Sequence, residues 1–275
     1  MAVDPTYPLY PILCIISAFF MFLVLSHSFI RQSWNLAVTL LCIGLFFSNL
    51  GYGIDGIVWR DDADIKVPVY CDIVSRLQFL MNFLPSITSL LITRKLYIIA
   101  SLRDIEPSGG KTVRTDLWIE WGWGLVYPLF MTAVIYTLCQ DTRFIVVQGF
   151  GCASSASDSW FSVTAILVLP LIPPLIAIFF YCPLIIRTFY VQSTNEFLQS
   201  NGPISRPSYH RVMALAGFNI IITLPISIIN LVSFFTAVSP SSFPSYVGWD
   251  ANHANFAPFG IPVSSSPWPY LRSSG

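Results

Sequence analysis

Asp72 and Arg76 stand four residues apart, the spacing that sets an acid and a base on one face of a helix where they can pair. Phe79 and Phe83 continue that face at helical spacing. Ser48, Tyr52, Asp55 and Trp59 form a second stripe by the same arithmetic, and Asn219, Thr223 and Asn230 a third. All three stripes fall within strongly apolar runs. Ionisable groups at such positions cost several kcal/mol in lipid unless they are paired or face water. Asp55, Asp72 and Arg76 each lie near one end of their run, so the reading is a cavity opening to water at that end. Tyr52, Trp59 and Phe79 complete the candidate ligand-binding set. The plainer account makes the polar members interhelical glue at about 0.6 kcal/mol a contact, with Tyr52 and Trp59 resting at the headgroup belt. That account is the preferred one for Asn219, Thr223 and Asn230. Catalysis finds little support. His27, His210 and His253 are scattered, no metal-ligand spacing occurs, and no nucleophile has a base beside it, so neither an enzyme nor a cofactor is expected.

The elements that must position these residues are membrane helices. Charged residues are only 10% of the 275, against about 25% in soluble domains. Hydrophobic residues reach 55%, and mean hydropathy is +0.67. Net charge is zero, which leaves no basic face for nucleic acid. Six apolar runs, near 7–30, 34–59, 69–99, 118–139, 160–186 and 212–238, each match the roughly 20 residues a helix needs to cross a bilayer. The runs exceed the roughly ten-residue alternating segments of a barrel, so the expected fold is an all-α polytopic bundle within 1–238. Residues 239–275, rich in Pro, Ser and Gly, read as an irregular tail. Arg31, Arg94, Lys95, Arg103, Lys111, Arg114, Arg187, Arg206 and Arg211 gather at one set of span ends, whereas Arg60, Lys66 and Arg143 lie at the other. Basic residues are retained in the cytoplasm, so the N-terminus is expected outside, with the first span a retained anchor.

Cys71 and Cys152 then share the oxidising face, where a disulfide can persist. Two readings stand: a bridge between them, or two free thiols, because sequence gives the compartment but not the distance. Cys14, Cys42, Cys139 and Cys182 read as apolar packing. Pro85, Pro128, Pro170, Pro173, Pro174 and Pro225 lie inside spans, where each removes a backbone hydrogen bond. The fifth span should be irregular, and Pro225 is a candidate hinge in the sixth. Arg94 and Lys95, Arg187 and Arg211 end three helices that would border one cytoplasmic crevice, a docking place for a partner.

These pieces, taken in order, resemble the fungal lipopeptide mating pheromone receptors, the a-factor receptor branch of the class D G protein-coupled receptors. The resemblance rests on Trp34-Asn35, Trp59, Cys71-Asp72-Ile73, Arg94-Lys95-Leu96-Tyr97, Gly151-Cys152, Tyr209-His210-Arg211-Val212-Met213 and Leu224-Pro225. Trp249, His253 and Phe256 are similar to the segment preceding the family's seventh helix. Tyr70 stands where the family often has Trp. The resemblance implies a seven-helix receptor at the plasma membrane. It would bind a peptide farnesylated on a methyl-esterified C-terminal cysteine and activate a heterotrimeric G protein, and homo-oligomerisation is left open. No apolar run follows Val238, so the expectation is a bundle truncated before its seventh span, or a six-span variant. The rivals are a non-signalling truncated receptor and a six-span secondary transporter. Against the transporter, no repeat relates the halves and the charges avoid the bilayer centre.

Overall fold

The computed structural model describes residues 7–30, 35–101, 111–188, 206–237, 244–246 and 248–262. Within α6, defined below, the side chains of 206–216, 219, 220 and 237 lie outside that description, as do those of 99–101 and 111–113.

Helices occupy all six apolar runs. They are α1 (Leu9–Ile30), α2 (Leu36–Val58), α3 (Pro68–Ser101), α4 (residues 111–139), α5 (Trp160–Thr188) and α6 (Arg206–Ala237). Leu9–Ile30, Leu36–Val58, Arg114–Cys139 and Trp160–Thr188 are each apolar and long enough to cross a bilayer. In α6 the apolar stretch is Ile221–Thr236, and α3 carries Asp72, Arg76, Arg94 and Lys95 along its 34 residues. The outward faces are as apolar as the core: Phe19, Phe20, Phe179, Phe180 and Ile221 are all more than half exposed. A water-soluble fold does not present such a belt, and a bilayer requires it.

The core runs along α3. Phe79, Phe83, Ile87, Leu91 and Ile92 pack against Ala37 of α2 and Met131 and Tyr136 of α4. Rings of Phe79 and Tyr136 lie 4.6 Å apart. Proline shapes α4 and α5 as its missing N–H requires. Pro128 lies between two wide π-turns, Gly122–Val126 and Met131–Ile135. In α5 a tight 3₁₀ turn, Leu169–Leu171, and Pro173-Pro174 sit between π-turns Thr164–Val168 and Ala177–Tyr181, so the expected irregularity is present. Thr88, close after Pro85, folds its hydroxyl onto the Leu84 and Pro85 carbonyls, which repairs backbone bonding inside α3.

One feature departs from an all-helical chain. Strand β1 (Ile145–Val147) pairs antiparallel with β2 (Gly151–Ala153) as a hairpin between α4 and α5, and β3 (Phe259–Ile261) adds parallel to β1. The sheet order is β2-β1-β3. Residues after the sixth helix, expected to be irregular, thus include an ordered strap. It is held by Trp160 and Phe161 N–H groups donating to the Pro244 and Ser245 carbonyls. Buried Asn252 donates to the Leu138 carbonyl at 3.2 Å.

Candidate functional site

The sheet forms a cap over one end of α2 and α3, and the sequence-predicted residues lie beneath it. Cys71 and Cys152 are joined by a disulfide with Cα atoms 5.3 Å apart, so the bridged reading holds. Around it Trp59, Phe144 and Val146 are fully buried and close a small apolar core with Val74. Trp59 stacks on Tyr70 at 6.0 Å and donates its indole N–H to the Asp64 carbonyl at 2.7 Å. Its own carbonyl accepts from the Gly149 N–H at 2.8 Å, tying the hairpin turn to the end of α2.

Asp72 does not pair with Arg76. Its carboxylate is gripped by Arg143, from the loop between α4 and β1, with Nε at 2.9 Å from Oδ1 and Nη2 at 2.5 Å from Oδ2. A planar guanidinium meeting both oxygens side-on outcompetes an i,i+4 partner, which can reach only one edge along the helix. The hydrogen bonds from Asp72 raise the Arg143 pKa further above its ordinary value. Arg76 instead lies exposed, its guanidinium carbon 5.9 Å from the centre of the Tyr136 ring, and makes no ion pair among the described residues. Two turns below Cys71, Gln78 clasps the free edge of β2. Its amide donates to the Cys152 carbonyl at 2.7 Å and accepts from the Ser154 N–H at 3.1 Å, as a neighbouring strand would.

Asp55 is completely buried, and neither carboxylate oxygen has a hydrogen-bond partner among the described residues. Tyr10, Tyr52 and Tyr70 surround it. Gly151 lies directly over it. A Cβ at that glycine would stand 2.5 Å from the Asp55 Cβ, and φ is +81°, so the position needs glycine on two counts. Of the expected ligand-binding set, then, Asp55, Trp59 and Phe79 are core in this conformation, Tyr52 and Asp72 are partly covered, and Arg76 is exposed. In the flanking loop, bonds from Lys66 hold the Asp62 carboxyl below the usual range. Arg60, hydrogen-bonded to Tyr7 and paired with Asp61, is pushed upward.

At the opposite end the expected free cations are not all free. Arg94 pairs with Asp116, and Lys95 pairs with Glu120 at 3.1 Å, joining α3 to α4. The acids sit four residues apart on α4, so they present one face to two consecutive bases, a cross-helix match that a single-helix spacing rule does not find. Arg187 is exposed. Arg211 and Asn219 are in α6, but their side chains lie outside the described residues, as do Arg31 and Trp34 entirely. Asn230 and Pro225 are exposed on that helix.

Sequence reasoning missed Arg143, Gln78 and Gly151. Gly149 and Gly151, each with positive φ around a three-residue turn, carried the one available sign of a hairpin.

Comparison with known proteins agrees with this architecture. The Pheromone B alpha 3 receptor of Schizophyllum commune is 26% identical over 230 residues, covering 83% of this chain and 36% of that protein. Pheromone receptor 1 of Ustilago hordei is 26% identical over 236 residues, 82% of this chain and 62% of the relative. Pheromone receptor 1 of Mycosarcoma maydis is 28% identical over 231 residues, with 82% and 62% covered. The chain thus spans between about a third and three-fifths of the length of these relatives. No solved structure matches it. Residues 9–266, nearly the whole described bundle with its cap and strap, match the pheromone A receptor (STE3) family, and the chain belongs to that family of helical membrane receptors.

Proposed function

We propose that this chain is the ligand-binding bundle of a mating pheromone receptor whose ligand is a peptide farnesylated on a methyl-esterified C-terminal cysteine. The family match over residues 9–266 carries the reading. The cap end is the extracellular one, with the N-terminus outside at the plasma membrane. Support comes from the Cys71–Cys152 bridge, which needs an oxidising compartment, and from the basic residues gathered at the other end. Tyr52, Asp55, Trp59, Asp72, Arg76 and Phe79 form the ligand-binding region. Arg76 is the member accessible before the cap parts, and the buried members hold the cap in its resting position.

The opposite end serves the heterotrimeric G protein, through Arg187, Arg211 and the Arg94–Lys95 pair once their acids are released, with Pro225 as the hinge of α6. Ligand shifts this equilibrium only by binding the parted arrangement better than the closed one. The test is photo-crosslinking of cells expressing the chain with a photoreactive farnesylated, methyl-esterified peptide. Labelling that saturates, is displaced by the same unlabelled peptide, and is displaced poorly by its non-farnesylated form supports the reading. Labelling indifferent to the farnesyl group overturns it.

A further inference from the structure

We infer that α4 carries a sterol-binding slot on its membrane face, at the end away from the cap. A groove of about 310 Å³ is lined by Thr115, Trp118, Ile119, Gly122, Trp123 and Tyr127. Its walls are aromatic and face outward: Trp118 is 69% exposed and Trp123 49%.

The backbone places them there. Trp118 and Gly122 are four residues apart, one α-helical turn. From Gly122 the chain takes a π-turn in which the Tyr127 N–H bonds the Gly122 carbonyl, five residues back. Spacings of four and then five therefore keep Trp118, Gly122 and Tyr127 on one face, where an unbroken α-helix would rotate Tyr127 about 100° away. At Gly122 the floor is bare backbone, and a Cβ there would meet nothing within 4 Å. Trp123 and Tyr127 rings lie 5.3 Å apart at 34°, forming one shallow wall. The other side of the helix is anchored by the Asp116–Arg94 and Glu120–Lys95 pairs, so the slot is formed before any ligand arrives.

The occupant must be a membrane lipid, because the slot opens onto the apolar belt. Flat aryl walls around a bare floor fit a rigid fused-ring plate, which loses little conformational entropy on binding; an acyl chain loses a great deal. From Thr115 to Tyr127 the slot runs about 18 Å along the helix, matching a single plate with its tail. Its polar fittings are confined to one end, Thr115 with exposed Arg114 next to it, which suits a molecule whose one polar group is a terminal hydroxyl.

The test reconstitutes the chain in phosphatidylcholine vesicles with photoactivatable cholesterol, irradiates, and maps the labelled peptides. Label should concentrate within residues 114–127 and fall at least fivefold with excess unlabelled cholesterol. It should fall as much in Gly122→Leu, whose side chain enters open space and leaves the fold intact, as judged by an unchanged melting curve and an intact Cys71–Cys152 bridge. Trp118→Ala should reduce it severalfold. Label spread evenly over the helices, label unchanged by Gly122→Leu, or equal competition by added phospholipid overturns the inference. Because no pheromone is present, the outcome is independent of the ligand reading above.

Discussion

The two ends of α3 are fastened by different physics. At the cap end, within eight residues, α3 holds the hairpin by a covalent bridge at Cys71, a two-pronged ion pair at Asp72 and a strand-like amide clasp at Gln78. At the other end it meets α4 through Arg94–Asp116 and Lys95–Glu120, partly exposed pairs of long side chains. The first set ties a loop to the helix end and resists salt. The second ties two helices and weakens when ions screen it. A signal crossing this bundle therefore starts from a firmly held end and finishes at one whose fastenings are exchangeable for a partner's charges.

The contrast can be broken most forcefully at the disulfide. Cys71→Ser removes a link between residues 81 apart, and the chain-entropy account sets the loss at up to about 4.5 kcal/mol. The melting temperature of the purified protein should drop more than in any other single variant discussed here, and an unchanged value would show that the cap contributes nothing to the bundle. Gly151→Ala comes next. It forces a side chain into the left-handed region, at roughly 1–2 kcal/mol, and against Asp55, so thermal unfolding should again occur earlier. Pairing it with Asp55→Ala should recover part of the loss, since only the steric share is relieved.

A double-mutant cycle sharpens the assignment of Asp72. Coupling between Asp72→Ala and Arg143→Ala should clearly exceed that between Asp72→Ala and Arg76→Ala, measured by melting temperature. The reverse order would restore the helix-face pair. The smallest effects belong to the opposite end. Asp116→Asn and Glu120→Gln should each cost at most about 1 kcal/mol at low salt. The differences from the parent should shrink as sodium chloride rises toward 1 M, while the Cys71→Ser difference stays constant. Salt-insensitive differences at both ends would dissolve the contrast.

Much of this was legible in the residues. The helices follow from runs of apolar residues that only lipid tolerates, and the irregular α5 from three prolines in five positions. The bridge was legible as a compartment argument, though not as a distance. The Asp72–Arg76 pair was not borne out, because the spacing rule sees neighbours along one helix and is blind to a guanidinium brought in from residue 143. The sheet was invisible for the same reason. Strands of three residues carry almost no periodicity, and β3 lies more than a hundred residues from β1 in the chain. Arg94 and Lys95 were legible as a basic cluster, but their acids are on another helix.

What the sequence determined by itself is the solvent: 55% hydrophobic content in helix-length runs fixes lipid surroundings and helical form, since backbone groups in hydrocarbon must be bonded within their own segment. What only the tertiary structure decided is who meets whom at the ends of those helices. There loops fold back over long chain distances, and short-range spacing gives way to the geometry of approach.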